Sequence, residues 1–377
     1  VQPLFKGSLL ANAFRLTLVE AGMGGKTLKR SIGLVLVWVA MQVASSGGSQ
    51  SDTPRPVVAR RLPQNPLITV SSSPTLGDNV NGPTVVRTPS WIKQPLGRYY
   101  MYFAHHKGEF IRLAYANAIE GPWRIHEPGV LHVRDTAFYR PQPDPVNSPP
   151  GFYTHVASPE IHLDDSAHKV VLWFHGWFTN GERWPLEGAA AWARDRGYAQ
   201  FTQVAESDDG IHFTVRAPIT RESYLRVFRH EGRFYGLARL GALMRAEGLF
   251  APFEEGPSAF RDGPYEGRVR HVALRPRNGR LEVFFSGIRD APERILMSSI
   301  ELRGSWDSWK ASPPVEVIQP EAPYECPELP SVPSVAGDVE GRVKQMRDPA
   351  VFEDSGRAWL FYTICGEQGI AAAELVG

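Results

Sequence analysis

The sequence predicts an all-β fold, a five-bladed β-propeller, and three observations carry that expectation. One unit recurs: Arg347-Asp348-Pro349-Ala350-Val351-Phe352, a polar turn through Ser355-Gly356, then the aromatic run Ala358-Trp359-Leu360-Phe361-Tyr362-Thr363. Similar units stand at four places upstream. The turns Asp209-Gly210, Glu231-Gly232, Asn278-Gly279 and Ser355-Gly356 supply the positive-φ positions that hairpins need. Helical periodicity is nearly absent after residue 65, the segment 188–196 being read as one short helix. Repeated strand–turn–strand units are the signature of a propeller, whose inner strands start around a central funnel.

Taken in order, the first blade opens at Asn81-Gly82-Pro83 and runs through Tyr99–Ala104 and Ile111–Ala116 to Glu120-Gly121-Pro122-Trp123. The second opens at His155 with Ala157-Ser158-Pro159-Glu160 and continues through Val170–Gly176. Its outer part spans Phe201–Phe213. The third opens at Tyr224–Phe228, the fourth at Arg270–Leu274, and the fifth is the Asp348 unit. The segments 140–152 and 311–341 are irregular and Pro-rich, and long loops on a rigid β-scaffold commonly shape a site.

Composition fits this reading. The 377 residues suffice for one large β-domain or for two ordinary domains, and 35 Gly and 32 Pro match a chain of many short strands and turns. The 10 Trp, 12 Tyr and 19 Phe suit sheet packing and stacking on sugars. A net charge of +1 gives no bulk field that would select nucleic acid or a membrane surface.

Met23 opens a basic stretch ending at Lys29-Arg30, followed by the apolar run Ile32–Ala44 and the small polar Ser45-Ser46-Gly47-Gly48-Ser49. This is the order of a secretory signal, and the apolar run is short for a membrane span. The expected organisation is therefore an upstream segment and signal at 1–49, a linker at 50–65 and a propeller at 66–377. The expected location is secreted or periplasmic, with no stable membrane insertion after signal removal. Cys326 and Cys365 form one disulfide or are two small buried residues, and spacing leaves both open. No zinc-ligand spacing is present, and Asp164-Asp165 and Asp208-Asp209 read as hairpin turns. No metal or cofactor is expected; an axial calcium ion has no motif to support it.

The Gly-Pro, Ser-Pro-Glu and Arg-Asp-Pro strand starts, the Glu-Gly-Pro-Trp blade ending and the Ser-Asp-Asp-Gly-Ile-His-Phe turn resemble the five-bladed propeller glycoside hydrolases of families 43, 32, 68, 117 and 130. The likeness covers about residues 66–377 and assigns no single family. It implies acidic residues at inner-strand starts working around the funnel. Asp348 matches the Asp-Pro motif, and Glu160 matches a carboxylate after Pro. The first blade departs: Asn81-Gly82-Pro83 stands where an Asp-Pro often supplies a base, leaving Asp78 nearby or groups on other blades for that work. Blade four presents Arg270-His271, and family-117 enzymes resemble this in using His as general acid.

Glycosidic cleavage needs a proton donor on the leaving oxygen and a base or nucleophile on the other face. The candidate catalytic residues are Asp348 and Glu160 as the carboxylate pair, with His271 as the acid. The candidate sugar-binding residues are Asn81, Asp78, His105, His106, Arg112, His155, Arg270 and Arg347. Adjacent residues on a strand point to opposite faces, so at most one of His105 and His106 should enter a given pocket. Glu325 and Glu328 flank Cys326-Pro327 and are further loop candidates. Trp91, Trp177 and Trp184 are candidate stacking rings. The expected function is hydrolysis of a glycosidic bond in an oligo- or polysaccharide. A phosphorylase or transferase, and a non-catalytic glycan-binding propeller, are the rivals.

Overall fold

The computed structural model describes residues 57–139, 154–178 and 199–377. The signal segment, the Pro-rich stretch 140–152, Trp184 and the helix expected at 188–196 lie outside the described residues. Twenty-one strands, numbered in chain order, form five antiparallel sheets. The chain enters through β1 (Val58–Arg61) and β2 (Ile68–Thr69). Blade one is β3 (Asn81–Arg87), β4 (Tyr99–Ala104), β5 (Phe110–Ala116) and β6 (Arg124–His132). Blade two is β7 (Ala157–Asp164), β8 (Lys169–Phe178), β9 (Ala199–Ser207) and β10 (Thr214–Thr220). Blade three is β11 (Arg226–His230), β12 (Arg233–Leu237), β13 (Ala242–Ala246) and β14 (Glu254–Ser258). Blade four is β15 (Val269–Arg277), β16 (Arg280–Gly287), β17 (Ile295–Glu301) and β18 (Val315–Ile318). Blade five is β19 (Arg347–Asp354), β20 (Arg357–Ile364) and β21 (Gly369–Val376), completed on its outer edge by β1, with β2 also pairing β21.

The first strands of the blades form the inner ring, in the order β3, β7, β11, β15, β19 and back to β3. Each second strand is buried on both faces, and that explains its nearly continuous apolar sequence. In β4, Tyr100, Tyr102 and Ala104 join the core shared with blade two. Tyr99, Met101 and Phe103 join the core shared with blade five. In β20, Trp359 and Phe361 face blade one while Ala358, Leu360 and Tyr362 face blade four. Five such clusters fill the five gaps between blades. Each buried large side chain contributes about 1.5–3 kcal/mol.

Three of the four Gly turns are two-residue hairpin loops. Glu231-Gly232, Asn278-Gly279 and Ser355-Gly356 have φ of 46° and 82°, 50° and 76°, and 54° and 77°, as a type I′ turn requires. Asp209-Gly210 lies in a wider loop, where Asp209 accepts from the Ile211 and His212 backbone amides.

The ring closure corrects one boundary. Val58–Arg61 falls in the stretch assigned to a linker, yet it pairs with β21 from Val58 opposite Val376 to Arg61 opposite Ala373. It shields an edge that would otherwise expose unpaired backbone groups. Arg61 then anchors the strand. Its guanidinium donates to both oxygens of the fully buried Glu325, at 2.8 and 2.9 Å, and to the Gln319 carbonyl at 2.7 Å. Cys326 and Cys365 are disulfide-bonded, with Cα atoms 5.3 Å apart, and fasten the same loop to the end of β20.

Replacing Arg61 by Ala leaves the Glu325 carboxylate with only its Tyr362, Glu321 and Ala322 donors. The expected cost is about 1–3 kcal/mol, read as a fall in melting temperature of roughly 2–10 °C for a chain this size.

Candidate active site at the funnel mouth

The inner strands begin with a bulge that sequence inspection alone does not reveal. In β3, Asn81 pairs with Ala104 and Thr84 with Tyr102, so Gly82-Pro83 oppose a single residue. Ser158-Pro159 in β7 and Asp348-Pro349 in β19 do the same. Ahead of β11, the Ser223 carbonyl accepts from Arg239 N at 2.9 Å and Arg226 pairs with Leu237, which leaves Tyr224-Leu225 bulged. In β15 the bulged pair is Arg270-His271. The first bulge residue is left-handed in four blades: φ is 58° at Gly82, 47° at Ser158, 57° at Tyr224 and 51° at Asp348. A bulge re-aims side chains and is frequent beside active sites. Equivalent positions around the ring thus carry no side chain, a hydroxyl, a phenol, a cation and a carboxylate.

This register corrects the reading of blade one. Gly82, not Asn81, stands where blade five places Asp348. A Cβ on Gly82 would lie 2.9 Å from Ser158 Cα, so the position has no room for a carboxylate as the backbone stands. Asn81 is buried one residue earlier; its amide nitrogen lies 3.4 Å from Asn79 Oδ1, and its own Oδ1 has no protein partner.

Asp348 is fully buried. Its Oδ1 is in direct contact with His271 Nδ1, and its Oδ2 accepts from Thr363 Oγ1 at 3.2 Å. His271 Nε2 has no hydrogen-bond partner. Tyr224 lies edge-on to His271, ring centres 4.0 Å apart, and edge-on to His175 at 4.3 Å. His155 completes the group 5.9 Å from His175. Burial, then Arg270, Arg226, His106 and His175, push the His271 pKa well below its ordinary value. Desolvation beside Arg270 and Arg226 disfavours the charged imidazolium. The imidazole is neutral at pH 7. Its contact with Asp348 favours the tautomer with the proton on Nδ1, which leaves the lone pair on Nε2.

Arg270 and Arg347 enter the same region but are held by the protein. Arg270 Nε meets Glu293 at 2.7 Å, and its other nitrogens donate to the Gly337 and Val335 carbonyls. Arg347 meets Glu293 at 3.2 Å and Glu367 at 3.3 Å, and donates to Gln345 and the Gly337 carbonyl. His106 Nδ1 is 3.4 Å from Glu367, which also accepts from Asn79. The two arginines are therefore framework, not free sugar donors. Glu160 sits just past its bulge, facing Thr84 of blade one and Arg226 of blade three, 3.1 Å from the latter. Burial raises its pKa, and Arg226 and hydrogen bonds from Thr84 and Val227 oppose the rise.

Other candidates stay outside this group. Asp78 is 94% exposed in its side chain and bonds His105 Nε2 at 2.8 Å on the rim; the hydrogen bond to His105 holds its pKa low. Of the two adjacent histidines only His106 turns inward. Arg112 is buried in blade one with Glu127 as its charged neighbour, and burial lowers its pKa. Glu325 serves Arg61, and Glu328 pairs with Arg342 in solvent. Trp91 stacks on His168 and bonds Asp165 at the β7–β8 turn, away from the inner-strand starts. Trp177 lies near the end of β8.

Sequence reasoning missed Glu222, His175, Tyr224, Glu293 and Glu367. Glu222 lies on the segment leading into β11. Burial and the nearby Glu255 push its carboxyl up to about 7, against Arg239 and Arg221. Its signal was available: a carboxylate just ahead of an inner strand. Glu293 and Glu367 sit in turns between later strands, where nothing in the sequence marks them.

Fold and inner ring together define a five-bladed β-propeller of the kind seen in glycoside hydrolases. Similar solved structures include a GH43_1 enzyme from Xanthomonas citri, with TM-score 0.52 and 13% identity over 82% of this chain and 89% of that one. Another is CoXyl43, a GH43 β-xylosidase/α-arabinofuranosidase from a compost microbial metagenome, with TM-score 0.52 and 13% identity over 85% and 96%. A third, from work on the GH130 family of mannoside phosphorylases, has TM-score 0.54 and 11% identity over 85% and 95%. At these identities the likeness is one of fold. No family model matches the sequence. The chain belongs to the same family as uncharacterized protein R118 of Acanthamoeba polyphaga mimivirus, 33% identical over 370 residues, covering 92% of this chain and 97% of that protein.

Glu222 gives stability a pH signature. Its folded pKa of about 7 lies above the ordinary 4.5, so the folded state holds the extra proton between those values. The contribution is present in full below pH 4.5 and lost as pH rises through 7. Against wild type, Glu222→Gln should gain about 1–3 kcal/mol in relative stability from pH 5 to pH 8, measured by denaturant unfolding at both pH values.

Proposed function

We propose that the protein is an exported glycoside hydrolase whose chemistry is carried by the Asp348–His271 pair. The observation supporting this reading is that contact: a buried carboxylate orienting a neutral imidazole whose Nε2 has no protein partner, at the mouth of a propeller funnel. His271 Nε2 takes a proton from water as the water oxygen attacks the anomeric carbon. The bond from that carbon to the leaving oxygen breaks, and that oxygen takes its proton from an acid on the opposite face; Glu222, two residues ahead of Tyr224 and pushed up to about 7, is the group proposed for it. Two groups with separated pKa values meet the demand for a base and an acid. Asn81 Oδ1 accepts from a sugar hydroxyl, and His155 and His175 line the same wall. Glu160 and Arg226 hold the channel beneath, Glu160 acting through charge. The sequence features at 23–49 motivate the proposed export, with 50–57 as the link to the propeller.

One observation favours a second reading. Gly82 leaves blade one without the carboxylate that the resembled enzymes use as base, as expected of a glycan-binding propeller without turnover. Phosphate-dependent cleavage is less favoured, because Arg226, Arg270 and Arg347 are already paired with Glu160, Glu293 and Glu367.

The deciding experiment is turnover of an oligosaccharide panel, with and without inorganic phosphate, by wild type and by Asp348→Asn, His271→Gln and Glu222→Gln. Hydrolysis should proceed without phosphate and fall about 10²–10⁴-fold in each folded variant. Glu222→Gln should be spared on aryl glycosides whose leaving group needs no proton. Turnover surviving both Asp348→Asn and His271→Gln would place the chemistry elsewhere. Saturable binding with no turnover would establish the second reading.

A further inference from the structure

Tyr224 is the one bulky aromatic residue among the left-handed bulge positions. Its φ of 57° is a backbone outlier for such a side chain. Blades one and two close the same bulge with Gly82 and Ser158, so the fold does not require a large residue there. Strain kept at a site is a pointer to function when the geometry says what it does.

Here the geometry is specific. The left-handed backbone of blade three drives the half-buried ring between an imidazole of blade two and one of blade four. It meets His175 at 4.3 Å with 66° between planes, and His271 at 4.0 Å with 65°. His271 is thereby caught between Tyr224 and Asp348. An imidazole χ2 is broad and roughly two-fold, and a half-turn would put a carbon where Nδ1 meets the carboxylate.

We propose that Tyr224 is a positioning residue, locking His271 so that Nδ1 stays on Asp348 and Nε2 faces the reacting water. The inference rests on the reading of His271 as base, but its test does not. The charged and titratable groups facing His271 are Arg270 from β15, Arg226 from β11, His106 beyond the end of β4, His175 from β8 and Asp348 from β19. With the wedge gone the ring turns, the Asp348 contact becomes intermittent, and Nε2 and Nδ1 share the proton.

The test uses the full chain labelled with ¹⁵N-histidine. Long-range ¹H–¹⁵N spectra are recorded from pH 5 to 8 for wild type, Tyr224→Phe, Tyr224→Ala and Tyr224→Gly, with His271→Gln assigning the resonance. Wild type and Tyr224→Phe should show one tautomer, protonated at Nδ1. The Ala and Gly variants should show two exchanging tautomers, and any kcat should fall at least about tenfold with KM within about threefold. The Gly variant should melt about 2–4 °C above the Ala variant, because only glycine relaxes at this φ. It also supplies a folded form if Ala does not. A His271 spectrum unchanged in the folded Ala or Gly variant overturns the proposal, and so does a change confined to KM. A wild type without turnover defeats the hydrolase reading alone, since the spectra still decide the role of Tyr224.

Discussion

A buried row of alternating charges orders the mouth of this propeller. Arg270 of blade four, Glu293 of its outer turn, Arg347 of blade five, Glu367 of the turn beyond β20 and His106 of blade one follow one another at 2.7–3.4 Å. All five are nearly or fully buried. The two arginines and two glutamates have left water at a cost of several kcal/mol each, offset by their ion pairs and by hydrogen bonds with Val335, Gly337, Gln345 and Asn79. The row therefore fixes how blades four, five and one meet at the axis. Asp348 follows Arg347 and touches His271, which follows Arg270, so its position is set by the same constraint. Glu367 is held at a pKa of about 2 by His106, Arg347 and Asn79 against its own burial.

The same row explains why arginines expected to grip a substrate are framework instead. A strand-start arginine looks identical in sequence whether it points at solvent, ligand or a buried acid. What decides is the carboxylate opposite it, and Glu293 and Glu367 come from turns distant in sequence. The Pro-rich loop adds the Val335 and Gly337 carbonyls and is fastened by the Cys326–Cys365 disulfide. Its irregular sequence marks it as a loop; its hydrogen bonds to the axis are visible only in three dimensions.

Much of the fold was legible because it follows from period and turn chemistry. Doubly buried second strands read as continuous apolar runs, and paired positive-φ residues read as hairpins. The misreading of Val58–Arg61 has a clear cause: an outer strand paired on one edge, next to prolines, has no apolar run to announce it. Asp348 and His271 were legible as strand-start residues, and the structure brings them into contact. Their relation to blade one was not. Both strands carry the same bulge, with Pro83 and Pro349 in its second position, so the counterpart of Asp348 is Gly82 and not Asn81.

The asymmetry of the bulge ring bears on how chemistry is divided around the funnel. Blades one and two present Gly82 and Ser158, small and close enough that no larger residue fits at 82 without a shift. Blades three and five present Tyr224 and Asp348 at that position, and blade four's second bulge residue, His271, touches both. Reactive groups are gathered on one arc. Neutral His271 fits this geometry. Added positive charge beside Arg226 and Arg270 would be costly at such burial, and the unpaired Nε2 lone pair carries a desolvation cost of its own that a ligand donor would relieve. Any proton that Nε2 takes up there is stabilised by Asp348, whose carboxylate touches Nδ1 and offsets part of the cost of a buried imidazolium.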